Sequence, residues 1–282
     1  MGILLKAKYK YKVPVDARCI SPDKFSKLSI SEIKNLDVYE GNRKRKLEEL
    51  FEVETETLTS EEGFTVRIIG DLSKVKYLGY SMSMGKLIIE GPVGMHLGER
   101  MNGGTIVVHG DADSWVGSMM KNGRIEIFGD VGDYIGAAYR GSASGMSGGE
   151  IIIHGDASNE VGCYMRGGLI KIYGSVGQFT GIHMRNGTIF VEGDSKGRDG
   201  AQMVGGKLII KGKVPSVLPS FTIVGVRSRV KVGTERIEGP FYLFSGDLTE
   251  NGAGRLYISK PLNEHLNFYE KYLAGLPPDF KP

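Results

Sequence analysis

Two histidines, His109 and His154, occupy the same place in two similar stretches, TIVVHGD and IIIHGD, and four aspartates (Asp111, Asp130, Asp156 and Asp194) each follow a glycine. Imidazoles and carboxylates at recurring positions are the material of acid–base catalysis and of metal sites. The spacing argues against both. The histidines fall two repeats apart, about 10 Å if neighbouring strands lie about 4.8 Å apart, too far to share one ion. An aspartate after a glycine is a turn residue first. Cys163 has no histidine in its register and reads as a structural thiol. Ser142, Ser144 and Ser147 form no nucleophile–base motif. The GxG strings lack the strand–turn–helix context that a nucleotide fingerprint requires.

What recurs is a frame, shown by GSMMKNGRIEIFG at 117–129. Seven thirteen-residue copies align on one methionine: 79–91, 98–110, 117–129, 143–155, 162–174, 181–193 and 200–212. The fourth position is always methionine (Met82, Met101, Met120, Met146, Met165, Met184, Met203). Three residues later stands glycine (Gly85, Gly104, Gly123, Gly149, Gly168, Gly187, Gly206). Ile, Leu or Val follows at two and four residues beyond that glycine, and a closing glycine recurs every 19 residues, with one step of 26 between Gly129 and Gly155. A repeat this short, with one alternating strand and several glycine corners, predicts an all-β chain: a right-handed parallel β-helix of about seven 19-residue coils. At about 3.3 Å per residue each coil has a perimeter of roughly 60 Å, enough for a narrow, side-chain-filled interior. Glycine serves the corners, and methionine, flexible and polarisable, fills the irregular space beside them. A thioether ladder for metal or haem is the competing reading, and no His or Cys column accompanies it.

The boundaries follow from where the frame stops. Residues 1–62 lack it and predict an N-terminal capping or docking segment, with a short capped helix at SISEIKNL, a second element at KLEELFEVE, and the basic run Arg43–Lys46 as a solvated loop. Residues 63–212 are the solenoid, TVRIIGD being a degenerate first rung. Residues 213–282 predict a C-terminal cap: VPSVLPSF breaks the coil, FYLFSGDLTENGAGRLYISK reads as a hairpin, and NEHLNFYEKYL as a short amphipathic helix. Such ends cover strand edges that would otherwise pair with other chains.

Two outer features invite contact. At the outward position of each rung stand Ile88, Val107, Glu126, Ile152, Lys171, Phe190 and Ile209, too apolar a stripe for bulk water. Either a terminal segment of this chain or a partner protein must cover it. The seven extra residues of the long step, within AAYRGSASGMSGGE, must leave the coil as a loop, and Tyr139 and Arg140 at its start are residue types enriched at interfaces. A loop that only relieves a coil misfit is the alternative.

Of 282 residues, 42 are glycine and two are cysteine, Cys19 and Cys163. Two cysteines make no disulfide framework, which fits a reducing cytoplasm. A net charge of +3 gives no argument for nucleic acid or an anionic membrane. The sequence shows no signal-length apolar start and no run of 18 apolar residues.

The repeat, with YRG…GMSGG in its middle, DADSWVG at 111–117, GDYIG at 132–136 and a closing VPSVLPSF, closely resembles the C subunit of formylmethanofuran dehydrogenase along the whole chain. Ala143, where the repeat favours glycine, is the one departure. Related coils occur in the large subunit of glutamate synthase and in the C subunit of the formyltransferase/hydrolase complex. The resemblance implies a scaffold subunit without a cofactor of its own. It implies a complex that reduces CO2 with ferredoxin electrons and forms formylmethanofuran. The expected partners are an amidohydrolase-type A subunit with a binuclear zinc site, a B subunit with a tungsten- or molybdenum-pterin, a D subunit, and iron–sulfur proteins. A formyltransferase/hydrolase complex is the alternative setting, and a stand-alone carbohydrate-active β-helix the third reading.

Overall fold

In each repeat the alternating stretch forms a short strand whose apolar residues two and four places past the repeat glycine point inward. Along Arg124–Ile127, Ile125 and Ile127 are buried while Arg124 and Glu126 are half-buried. A computed structural model describes residues 2–57 and 63–275 of the chain. From Lys86–Glu90 to Lys207–Ile210 the repeat strands run parallel, each residue beside its equivalent in the next repeat. Thus Ile106 pairs with Ile125, Ile125 with Ile151, and Ile151 with Ile170. The long step causes no slip: Arg124 still faces Glu150. A second line of parallel bridges joins Leu72, Val93, Ala112, Val131, Ala157, Val176 and Ser195. Stacked in this way, like residues form continuous inner columns, and all seven repeat methionines are fully buried.

The flanks extend the sheet to thirteen strands. Gly2–Ala7 lies parallel to Thr65–Ile69 and antiparallel to Phe51–Glu56, which forms one edge. At the other end Gly254–Ser259 continues the parallel order, and a long hairpin, Thr222–Val232 with Glu235–Gly246, closes it. The turn region around LTENGAG therefore joins antiparallel partners, whereas the longer hairpin upstream of it had no sequence expectation. TVRIIGD pairs with the first full repeat. Ser29 caps the helix Ile30–Lys34 in a reciprocal box with Glu32. Two expectations change. The basic run is not a solvated loop but the strand Arg43–Lys46, paired with Asp37–Glu40, because Asp37 neutralises both Lys44 and Lys46 and Arg45 reaches Glu49. The segment Glu264–Gly275 is a 3₁₀ run, not an α-helix. No helix among the described residues is long and apolar enough to cross a membrane.

The pairing of methionine with glycine has a steric cause. Each methionine methyl sits where a Cβ on the following repeat's glycine would stand: Met101 Cε lies 2.8 Å from that point on Gly123, Met120 Cε 2.7 Å from it on Gly149, and Met146 Cε 2.7 Å from it on Gly168. At Gly149 the constraint is doubled, since φ is +87° and the Gly123 carbonyl oxygen is also 2.7 Å from the Cβ position. Gly141, in the inserted loop, has a similar φ of +83° but nothing within 4 Å. Gly149→Ala is therefore expected to cost several kcal/mol and Gly141→Ala about 1 kcal/mol. Urea unfolding of the two variants checks the order, and equal losses would remove packing as the cause.

One inner column ends in polar residues. Leu78, Leu97, Val116, Ile135 and Val161 are followed by Thr180 and Asp199, both buried. Ser195 Oγ lies 2.7 and 2.8 Å from the two Asp199 carboxylate oxygens and donates to one of them. Thr180 Oγ1 has no hydrogen-bond partner among the described residues. Burial pushes the Asp199 carboxyl up to about 7, only partly offset by the Ser195 bond. A carboxyl raised on folding holds its proton better in the folded chain. Its contribution is therefore complete below the ordinary carboxyl range near 4 and is lost as pH rises toward 7, with a limiting slope of about 1.4 kcal/mol per pH unit. Asp199→Asn should raise Tm at pH 8 and flatten the pH 4–7 dependence of Tm. An unchanged pH profile would count against the buried carboxyl.

Candidate functional site

The groups that could have done chemistry hold the repeats together. Asp111 Oδ1 accepts the Asp130 backbone N–H at 2.9 Å, Asp130 Oδ1 that of Asp156 at 2.8 Å, and Asp156 Oδ1 that of Ser175 at 2.7 Å. Asp194 continues the line by accepting from Lys213 at 2.6 Å. His109 and His154 do not meet, because the Phe128 ring lies between them, 5.0 Å from one and 4.5 Å from the other, and Tyr173 stacks on the far side of His154. His154 Nε2 lies 3.0 Å from Glu126 Oε1. Burial raises the Glu126 carboxyl, but the bonds from His154 and Arg124 outweigh it and hold the group below its ordinary value. Cys163 is buried, and desolvation together with the neighbouring Glu160 carboxylate pushes its thiol up to about 12, so it stays an S–H. Among the described residues no group of three or more His, Cys, Asp or Glu is arranged to hold a metal ion.

The apolar stripe divides along its length. Phe190 and Ile209 are buried against Val224, Val230, Val232, Phe241, Leu243 and Tyr257, so the C-terminal hairpin of this same chain covers them. The sequence leaves two covers open for this stripe, a terminal segment of this chain or a partner, and both residues are also candidates for partner contact. The hairpin supplies the apolar area instead, and neither residue reaches the surface. Glu235 at the hairpin tip pairs with Lys171 at 2.8 Å, fixing the tip over the sheet. Ile88 and Ile152 are also buried, Val107 is half-buried, and Phe128 and Tyr173 remain exposed beyond the hairpin. Between tip and sheet runs a groove of about 450 Å³ lined by Arg124, Glu126, Glu150, His154 and Tyr173.

The inserted loop does more than leave the stack. Its Tyr139 ring, half exposed, leans on Trp115 at 5.3 Å and on His96 at 6.0 Å. These rings belong to a row that sequence reasoning had not separated from the frame: Tyr77, His96, Trp115 and Tyr134 stack at 4.5, 5.9 and 4.3 Å. Their 19-residue spacing was the available signal. All four have left-handed backbone, with φ between 65° and 70°, a conformation bulky residues avoid. The ladder holds them there, because each N–H donates to the next repeat, Trp115 to Asp133 O at 2.9 Å and Tyr134 to Asn159 O at 3.0 Å. Arg18 closes one end of the row, 4.0 Å above the Tyr77 ring. Beneath the loop, Trp115, Ala137 and Cys163 form a small apolar cluster. Arg140 is exposed at its rim.

Stacked parallel strands, side chains that hold repeats in register, and one aromatic row under a protruding loop define a repetitive parallel-β protein. Similarity to known proteins points the same way. The chain is 54% identical over 265 residues to the C subunit of the tungsten-containing formylmethanofuran dehydrogenase 2 of Methanothermobacter thermautotrophicus, covering 94% of this chain and 98% of that one. The corresponding protein of Methanococcus maripaludis is 53% identical over 272 residues, with the same coverage. The chain belongs to the family of formylmethanofuran dehydrogenase C subunits. Against the molybdenum-containing counterpart of Methanothermobacter marburgensis the match is 47% over 97 residues, so the chain spans about a quarter of that relative's length, 24%. Among solved structures, a chain of the formyltransferase/hydrolase complex from Methylorubrum extorquens, solved with methylofuran, matches at TM-score 0.80 and 29% identity, over 91% of this chain and 99% of that one. No family model matches.

The covered and open halves of the stripe predict different costs. Phe190→Ala should destabilise by about 3–5 kcal/mol and Phe128→Ala by less than about 1 kcal/mol. Chemical denaturation checks this, and similar losses would mean that the hairpin does not bury Phe190.

Proposed function

We propose that this chain is a structural subunit, folded as a right-handed parallel β-helix, of a formylmethanofuran dehydrogenase that reduces CO2 with ferredoxin electrons. The reading rests on the near-full-length kinship with the C subunits of tungsten-containing enzymes. The β-helix is supported by the parallel sheet and the second line of bridges, which carry each repeat onto the next at equivalent residues. In this reading residues 1–62 and 213–282 cap the two ends of the 63–212 stack. Redox and formyl-transfer chemistry belong to the A, B and D subunits of a cytoplasmic complex, with the tungsten- or molybdenum-pterin, the binuclear zinc site and the iron–sulfur clusters outside this chain. The engaged carboxylates support that division of labour, because Asp111, Asp130 and Asp156 each accept a backbone N–H of the following repeat.

The partner surface combines Tyr139 and Arg140 of the loop with the open part of the stripe around Val107 and Phe128. The likeness to the formyltransferase/hydrolase complex favours a second reading, in which the same scaffold serves an enzyme that releases formate without redox chemistry. Identity of 54% against 29% favours the first reading over the second.

Purification of the tagged chain from its native host, with mass spectrometry and metal analysis of the eluate, decides between the two. A pterin-type subunit and tungsten are expected. Formyltransferase partners without either metal would favour the second reading, and a lone monomer that hydrolyses carbohydrate would sink both. The double substitution Tyr139→Ala, Arg140→Ala should cut partner recovery while changing the chain's Tm little. A large fall in Tm with partners retained would make the loop structural.

A further inference from the structure

Under the inserted loop lies a cavity of about 190 Å³ lined by Trp115, Tyr134, Tyr139 and Tyr164, with Glu160 and Arg140 also on its lining. Its walls are set at angles to each other. Trp115 and Tyr134 are nearly parallel and stacked at 4.3 Å, 17° apart, while Tyr139 is inclined at 50° to Trp115. Tyr164 is fixed from behind by His183, stacked at 4.3 Å. Glu160 continues the left-handed column of Trp115 and Tyr134, with φ 57°, and lines the same cavity. The Cys163 thiol hydrogen-bonds Glu160.

Trp115 has a ring stacked on each face, His96 at 5.9 Å and Tyr134 at 4.3 Å, so the ring faces left to the cavity are those of Tyr134, Tyr139 and Tyr164, beside the Glu160 carboxylate. The faces carry the negative end of the aromatic quadrupole, so they attract a desolvated cation and repel an anion. A neutral apolar guest would strip water from Glu160 and return nothing for it. A volume of about 190 Å³ accommodates a small alkylated ammonium head. We infer that this cavity binds an alkylammonium group, held by cation–π contact with Tyr134, Tyr139 and Tyr164 and by the Glu160 carboxylate. The group is either a lysine side chain presented by a protein or a free alkylated amine. Arg140, which also lines the cavity, opposes the guest's charge and weakens binding. The inference stands on the cavity alone and does not depend on the family assignment.

Trp115 is the chain's single tryptophan, so its fluorescence reports this cavity alone. The full chain is titrated with tetramethylammonium chloride and with N-acetyl-lysine amide, sodium chloride holding ionic strength constant and tert-butanol serving as a neutral control. Saturable change with either ammonium probe and none with tert-butanol is the expected result. Stronger response to the lysine derivative assigns the site to a protein side chain, and stronger response to the quaternary ion assigns it to a free amine; both support the inference. Glu160→Gln and Tyr139→Ala should each weaken binding about tenfold, and Arg140→Gln should tighten it a few-fold. Tyr139 and Arg140 are exposed, so these two variants are expected to fold, and circular dichroism verifies it. An equal response to tert-butanol, no saturation by either cation, or unchanged affinity in Glu160→Gln with the fold intact would overturn the inference.

Discussion

Everything in this chain depends on one repeat being laid on the next without slip. The backbone hydrogen bonds between parallel strands would tolerate a shifted register, since every residue offers the same N–H and C=O. Side chains forbid it. A methionine methyl fills the place where a Cβ would stand three positions past the next methionine, so only glycine fits there. A slip by one residue would drive Lys, Arg or Thr onto that methyl and turn the Ile columns outward. The glycine that costs conformational entropy in an isolated strand is here the acceptor of the neighbouring repeat's side chain.

The same constraint explains where the chain allows exceptions. Seven additional residues enter between Gly129 and Gly155, yet Arg124 still faces Glu150, so the surplus is expelled at a corner and none enters the sheet. The expelled loop then folds back on the nearest apolar surface, the ring of Trp115. The aromatic row beneath it is possible for the same reason. Left-handed backbone at Tyr77, His96, Trp115 and Tyr134 costs on the order of 1–3 kcal/mol each, and one inter-repeat hydrogen bond at every N–H helps to offset that cost. Strain that would be isolated in a loop is distributed along a column in which every member supports the next.

The period, the strand at its centre and the burial of the methionines were all legible in the sequence, because each repeats and a repeated error is visible as such. The parts that were not legible occur once. The hairpin Thr222–Val232 with Glu235–Gly246 has a basic, glycine-punctuated sequence whose apolar residues fall on one face only when both strands are paired. Its cover over Phe190 and Ile209 is a tertiary fact with no periodic trace. The run Arg43–Lys46 reads as solvated until Asp37 is set opposite it. The aromatic row had the right spacing, but its types vary from Tyr to His to Trp, and the eye follows identity more readily than position. Tyr139 and Arg140 were legible as a departure from the count, while the cavity they help to close needed Glu160 and Tyr164 from the following repeat.

A scaffold with so fixed an interior has only its outside to vary. The inner columns are built mostly of Ile, Leu, Val, Ala and Met, with Thr180 and Asp199 the polar exceptions at one end, and the turn carboxylates are committed to the next repeat's N–H groups. The long sheet face is sealed at one end by the hairpin, leaving Phe128 and Tyr173 open in the middle. The aromatic row is sealed at its far end by Arg18 and overhung at its centre by the loop. Both openings therefore lie near the middle of the stack, on either side of the place where the count changes from 19 to 26. A partner that engages the sheet and the loop together would be positioned by the one feature that breaks the translational symmetry of the repeats. That asymmetry matters, because a perfectly periodic surface offers the same contacts at every repeat and cannot define a single docking position. The insertion supplies the landmark that the rest of the sequence, by its own regularity, is unable to provide.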